Sequence, residues 1–318
     1  MTSLATADKP PAEITRALRE VSTVDNWRNA LFLSADWLVI AVAVVAHVRW
    51  GGALVYVAAT ILIGTRMRAL ANLVHEAAHR KLFARRVLNS VVGRLFCAWP
   101  IFIDLTRYES DHRRHHQSLW RGADDPDVAL YRLTGTERRS AGRISFTRFL
   151  GEHVLLVVVP VMPLRRLWSG ITTRRLLAAA MVAGAVAVCW SAIPPLAAGV
   201  AAYWLLPWLT TYQMCAYWAE LGEHGGLRDA GRLWGSRNWR GNVLTRWAIG
   251  SHSDDLYHLL HHWFPTVPHH RLRKLDRLCR QRWPRYAAEV RCTGFFVGGA
   301  RGVSVLRDIW SGGAEPRS

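Results

Sequence analysis

Cysteine is scarce and unpaired in this sequence. Cys97, Cys189, Cys215, Cys279 and Cys292 form no CxxC pair, which excludes a zinc ribbon and a rubredoxin-type iron site. Five in 318 residues are also too few for a disulfide scaffold. Acidic residues are outnumbered, 23 to 41, leaving a formal charge of +18. There is no internal repeat and no low-complexity tract, and residues 1–29 contain no apolar run, so no cleaved signal peptide is expected. Long stretches lack charge altogether. With 51% hydrophobic residues and 16 Trp, those stretches exclude a disordered chain and an ordinary soluble enzyme in favour of a polytopic membrane protein.

A bilayer core needs about 20 helical residues. Residues 30–48 qualify with one blemish, Asp36. Residues 52–64 are apolar and extend through Arg66 and Arg68, expected to snorkel to the headgroups, as far as Val74. Residues 176–193 and 196–218 carry no charge. The links inside each pair are Arg49-Trp50-Gly51 and Pro194-Pro195, so the spans form two hairpins. Of the basic residues, five precede Gly52, 20 lie in 66–175 and 16 lie in 228–317, which leaves only Arg49 on the far side. By the positive-inside rule both termini and the central segment are cytoplasmic, and topology rather than nucleic-acid binding explains the charge. Two poorer apolar stretches, 87–103 and 154–164, read as helices in the interface or against the bundle, and the tail after Gly299 as loosely ordered.

Eight of the 14 histidines fall in three compact groups. His75-Glu76-Ala77-Ala78-His79 continues the second span and puts two imidazoles on one helix face. His112-Arg113-Arg114-His115-His116 and His258-Leu259-Leu260-His261-His262 each let one turn aim rings at a common centre, and neutral imidazole suits Fe, Cu or Zn. His75 lies 24 residues, roughly 36 Å of helix, beyond Gly51. His224 emerges at similar depth after the fourth span. Nine imidazoles at one mouth exceed what a single ion can use and point to two metals.

These motifs are similar to those of the membrane fatty acid desaturase and hydroxylase superfamily, whose ordered boxes HxxxH, HxxHH and HxxHH read here HEAAH, HRRHH and HLLHH, with His224 in GEHGG. Asp125-Pro126-Asp127 follows the second box and Trp263-Phe264-Pro265-Thr266-Val267-Pro268 the third, as in that family. One departure is Leu256, where many members have Asn. The resemblance implies an all-α integral membrane protein: four transmembrane helices in two hairpins under a cytoplasmic helical cap. Its parts are a cytoplasmic N-terminal segment (1–29), a desaturase-like membrane domain (30–277) and a basic tail (278–318).

The resemblance further implies two iron ions held by His75, His79, His112, His115, His116, His224, His258, His261 and His262. Glu76, Asp111, Asp125, Asp127, Glu223 and Asp255 are the carboxylates placed to support them. O2 is the co-substrate, and the product is a double bond in an acyl chain of a lipid, acyl-CoA or acyl-carrier-protein thioester. Hydroxylation or acetylenation are the alternatives that no box distinguishes. No haem or four-cysteine iron–sulfur module is present, so electrons come from a separate ferredoxin, flavoprotein or cytochrome. HEAAH also matches the HExxH of zinc proteases, with Glu76 as base, but such a site would leave the other boxes surplus. A metal carrier would carry ionisable residues in its spans. His47, His153, His269 and His270 read as interfacial or surface side chains, and His252 as a non-ligand. The three lysines against 38 arginines fit a GC-rich bacterial genome, and hence a bacterial cytoplasmic membrane.

Overall fold

The computed structural model describes residues 10–138, 140, 142–154, 193–252, 254–289, 292–299 and 302–311. Among these the chain is helical, with no strand and only isolated β-bridges. The helices in order are α1 (Ala12–Val21), α2 (Asn26–Trp50), α3 (Ala53–Ala78), α4 (Arg86–Val92), α5 (Leu105–Ser118), α6 (Val128–Leu133), α7 (Phe146–His153) and α8 (Pro194–Val200). Then follow α9 (Gln213–His224), α10 (Gly231–Trp234), α11 (Val243–Ala248), α12 (His258–Trp263), α13 (Leu272–Arg282), α14 (Pro284–Glu289) and α15 (Val305–Ser311).

The first hairpin is α2 and α3. Asp25 caps α2 by accepting from the Arg28 N–H at 3.3 Å. Gly51 and Gly52 turn the chain with φ of 66° and 85°, values that strain any residue with a Cβ. At 25 and 26 residues, each helix is roughly 37 to 39 Å long. Both are long and apolar enough to cross a membrane. Their outer halves expose Leu38, Val42, Val45 and Val48, and Leu54, Val57 and Ile61. Such a contiguous apolar surface belongs in lipid rather than water. The inner half of α3 is instead core: Ile63, Met67, Leu70, Leu73 and Val74 are fully buried.

Polar residues inside this bundle are paired. Asp36 meets Arg66 at 3.2 Å and accepts from His252 Nε2 at 2.8 Å, while Arg66 also donates to the Trp247 carbonyl. Arg66 and Arg68 therefore do not snorkel. Their partners lie within the protein, Arg68 bonding Asn72 one turn along α3 and lying 3.7 Å from Glu223 of α9.

The chain is continuously helical over 194–224, covering the expected fourth span. Two π turns, Ala201–Leu205 and Trp208–Tyr212, flank Pro207, whose missing N–H interrupts the regular ladder. This helix crosses α3 so closely that a Cβ on Gly64 would lie 2.5 Å from Thr211 Cβ. The expected third span, 176–193, and the stretch 154–164 fall almost wholly outside the described residues. The other weak apolar stretch forms α4, a π turn and a 3-10 turn ending at Ile101, then bends by 90° into α5. Counted as one span, this bent pair would make a third candidate crossing. Its outer face exposes Val87, Val91, Leu95, Phe96 and Trp99, while Gly93 packs on Ala77 where a Cβ would be 2.7 Å away.

The cap closes the inner end. Ile14 and Val21 of α1 pack with Leu272, Leu275 and Cys279 of α13. The described part of the tail expected to be loose, residues 302–311, is packed instead: Leu306 and Ile309 are fully buried in the main core beside Phe295. Asp308 forms a buried ion pair with Arg237 at 2.9 Å. Arg237 also donates to the carbonyls of Leu221, Gly222 and Gly225, satisfying the orphan acceptors that end α9. The C-terminal segment thus braces the turn carrying His224.

Candidate metal centre

Four helices deliver the nine histidines. α3 ends in the HEAAH turn; α5 starts at Asp104, whose carboxylate accepts from the Thr106 and Arg107 N–H groups, and carries HRRHH. α9 ends at His224, and α12 is the HLLHH helix, its Leu260 N–H donating to Asn238 Oδ1 at 3.2 Å.

The rings converge in two groups, each with ligand atoms within 4.8 Å of one another: His75, His79, His112, His116 and His261 in the first, His115, His224, His258 and His262 in the second. Each HxxHH turn is therefore split rather than aimed at one centre as expected. Its i and i+4 rings share a group and the i+3 ring, about 100° round the helix from the i+4 ring, joins the other. The two boxes do this in opposite senses.

In the first group Nε2 of His112 lies 2.8 Å from that of His79 and 3.0 Å from that of His116, which is 3.0 Å from His261 Nε2. In the second, His224 Nε2 is 3.2 Å from His115 Nε2 and 3.1 Å from His258 Nε2, with His262 Nε2 3.2 Å from the latter. A first-row divalent ion holds imidazole nitrogen at about 2.0–2.1 Å, which places adjacent ligands about 3 Å apart. The observed spacings fit that, and the buried His75 Nε2, which has no hydrogen-bond partner, is explained by a ligand role.

Electrostatics favour the neutral, metal-binding form. Burial, reinforced by neighbouring rings, holds His112, His258, His261 and His262 well below the ordinary imidazole value and pushes His116 down to about 2. His115 goes the other way. Burial opposes its protonation, but hydrogen bonding to Asp125 and the charge of Asp127 outweigh burial and raise it to about 9. Its Nδ1 donates to Asp125 at 2.9 Å, leaving Nε2 for the group, and His224 is oriented in the same way by its Nδ1–H on the Gly235 carbonyl at 3.0 Å. Asp125 is itself held by the N–H groups of Trp120 and Asp127.

The other candidate carboxylates divide. Asp127 approaches His115 at 3.3 Å, and Glu223 stands 3.6 Å from His258 Nε2. Glu76 is turned away and accepts from the His269 N–H at 3.3 Å, so it cannot serve as the base of a zinc protease. Asp111 sits on the outer face of α5 between Arg107 and Arg114, and Asp255 accepts from Asn72, bracing α3. His47, His153, His252, His269 and His270 lie outside both groups. His153, His269 and His270 are not surface residues as expected, whereas His47 is half-buried near the outer end of α2. His269 is buried on Asn29, His270 faces Asp25, His153 bonds Tyr217 and His47 bonds Tyr203. Sequence reading missed Tyr108, stacked on His112 with ring centroids 5.4 Å apart, and Trp120, whose indole shares the Gly235 carbonyl with His224.

A family model described as Fatty acid desaturase matches residues 51–294, which include all nine histidines. The chain belongs to the fatty acid desaturase family. Among curated relatives it is 30% identical to "Dihydrorhizobitoxine desaturase" of Bradyrhizobium elkanii, over 91% of this chain and 86% of that protein. It is 26% identical to "Probable fatty acid desaturase DES1" of Sorghum bicolor, over 73% of this chain and 65% of that one. Family membership supports an oxidoreductase, and the histidine clusters could bind metal.

Proposed function

We propose that this desaturase binds two iron ions, one through His75, His79, His112, His116 and His261 and the other through His115, His224, His258 and His262, and introduces a double bond into a fatty acyl chain. The observation that carries the reading is the division of nine imidazoles into groups of five and four, the ligand nitrogens of each group lying within 4.8 Å of one another. When bound, iron supplies the O2 chemistry able to break an unactivated C–H bond. The balance is one alkyl segment, O2, two electrons and two protons in, and one alkene and two waters out. Asp125 and the Gly235 carbonyl fix the tautomers of His115 and His224.

In this reading four spans in two hairpins place both termini and the cap in the cytoplasm of a bacterial cell, where a separate ferredoxin, flavoprotein or cytochrome delivers electrons. The substrate chain, on a lipid or a CoA or carrier-protein thioester, enters from the bilayer side. A second reading, a small biosynthetic substrate in place of a lipid, draws on the relative named for dihydrorhizobitoxine, which covers more of the chain than the plant relative. Expression in a desaturase-deficient host, with mass spectrometry of acyl and small-molecule pools, tests both. A product lacking two hydrogens in the acyl pool supports the first reading and in the small-molecule pool the second, a product carrying one added oxygen indicates hydroxylation, and no oxygen-dependent product refutes the class.

A further inference from the structure

A cavity of about 340 Å³ opens on the cap, lined by Arg240, Arg246, Arg273 and Arg277, by Asp254 and Asp276, and by a floor that includes Trp239, Leu256 and Tyr257. The carboxylates are already committed. Asp254 pairs with Arg273 at 2.9 Å, and Asp276 accepts from Arg280 at 3.0 Å and from the Tyr286 hydroxyl at 2.6 Å. Arg246 donates to the His252 carbonyl at 3.2 Å, which fixes its guanidinium, and Gly241 lets the loop pack on it where a Cβ would lie 2.9 Å from its Cγ. Arg240 and Arg277 are exposed and make no ion pair or side-chain hydrogen bond among the described residues. The cavity therefore holds two uncompensated guanidinium groups over an apolar floor.

Positive-inside topology accounts for arginine on the cytoplasmic face, but not for four converging on one concave site. Guanidinium offers paired N–H donors that match phosphate oxygens, and a pocket of this size is within the range that small ligands occupy. We propose that this cavity binds a phosphate-bearing group through Arg240, Arg246 and Arg277, with its ester substituent on the Trp239–Leu256–Tyr257 floor. The phosphate belongs either to a soluble molecule, such as a thioester carrier, or to a lipid headgroup.

The test is binding of inorganic pyrophosphate to the full-length protein in neutral detergent, by calorimetry, together with retention on nanodiscs. Binding is read without turnover, so the result stands apart from whether the protein is a desaturase. Arg240→Ala/Arg277→Ala removes two exposed, unpartnered side chains and should weaken pyrophosphate binding at least tenfold, with a shallower salt dependence. Arg16→Ala/Arg19→Ala removes the same charge from the exposed face of α1 and should change it less than twofold. If the site takes soluble phosphates, CoA competes with pyrophosphate and phosphatidylglycerol nanodiscs do not. If it takes lipid, the nanodiscs compete and phosphatidylcholine nanodiscs do so less. Equal affinity in wild type and the pocket variant, equal losses in both double variants, or no measurable pyrophosphate binding overturns the proposal.

Discussion

Replacing Asp125 by Asn should loosen one metal of the two and leave the other in place. The Asp125 carboxylate takes the His115 Nδ1–H at 2.9 Å and the Asp127 N–H at 3.0 Å on one oxygen, and the Trp120 N–H at 2.9 Å on the other. An amide of the same shape has only one carbonyl oxygen, so whichever way it turns an N–H donor meets its NH2 group. One buried donor left without an acceptor costs about 1–3 kcal/mol. Loss of the partner that orients a metal-bound histidine typically costs about 10–100-fold in affinity, or roughly 1.4–2.8 kcal/mol. His115 belongs to the group with His224, His258 and His262, and no ring of the other group bonds Asp125. Iron remaining on the purified Asp125→Asn protein should therefore be measured against increasing chelator. Half of the iron should leave at chelator concentrations about 10–100-fold lower than in wild type, while the other half leaves as before. Equal displacement of both halves, or a curve superimposed on wild type, would refute the assignment of His115 to one of two separable centres.

Two further outcomes follow from the same geometry. His224→Ala should lose iron and activity while the protein stays membrane-inserted, whereas His252→Ala, whose ring serves Asp36, should keep its iron and lose only stability; elemental analysis showing the reverse would exchange their roles. Metal-free protein should lose stability as pH falls below about 6.5, because the unfolded imidazoles take up protons that the buried rings refuse; for a ring held at about 2, such as His116, the cost at pH 5.5 is about 1.4 kcal/mol. His115, raised to about 9, acts oppositely, since its stabilisation is complete below 6.5 and fades as pH rises toward 9, but it is one ring against several. A thermal midpoint in detergent that stays flat or rises between pH 6.5 and 5.5 would contradict this balance.

The first hairpin and the eight box histidines were legible in the sequence because both depend on local period: an apolar run long enough to cross a bilayer, and imidazoles three and four residues apart on one turn. His224, which has no histidine neighbour, was legible only from its depth after the fourth span and from the family resemblance. The assignment of rings to groups was not legible. Spacing within His112, His115 and His116 shows that the rings share a turn, but the group each one joins depends on the angle at which α5 meets α3 and α12. Arg66 read as a snorkelling residue because its partners, Asp36 and the Trp247 carbonyl, lie 30 and 181 positions away. The same distance hid His269 on Asn29, 240 residues apart, and Asp308 on Arg237, 71 apart. Buried polar pairs brought together by the cap leave no periodic trace in the chain.

The central claim is a two-iron centre built from nine histidines, and the most direct measurement is elemental analysis of protein purified after iron-replete expression, paired with Mössbauer spectroscopy of ⁵⁷Fe-enriched material. The account predicts about two irons per chain, little zinc and two distinguishable iron environments, as groups of five and four imidazoles require. One zinc per chain with negligible iron would contradict it.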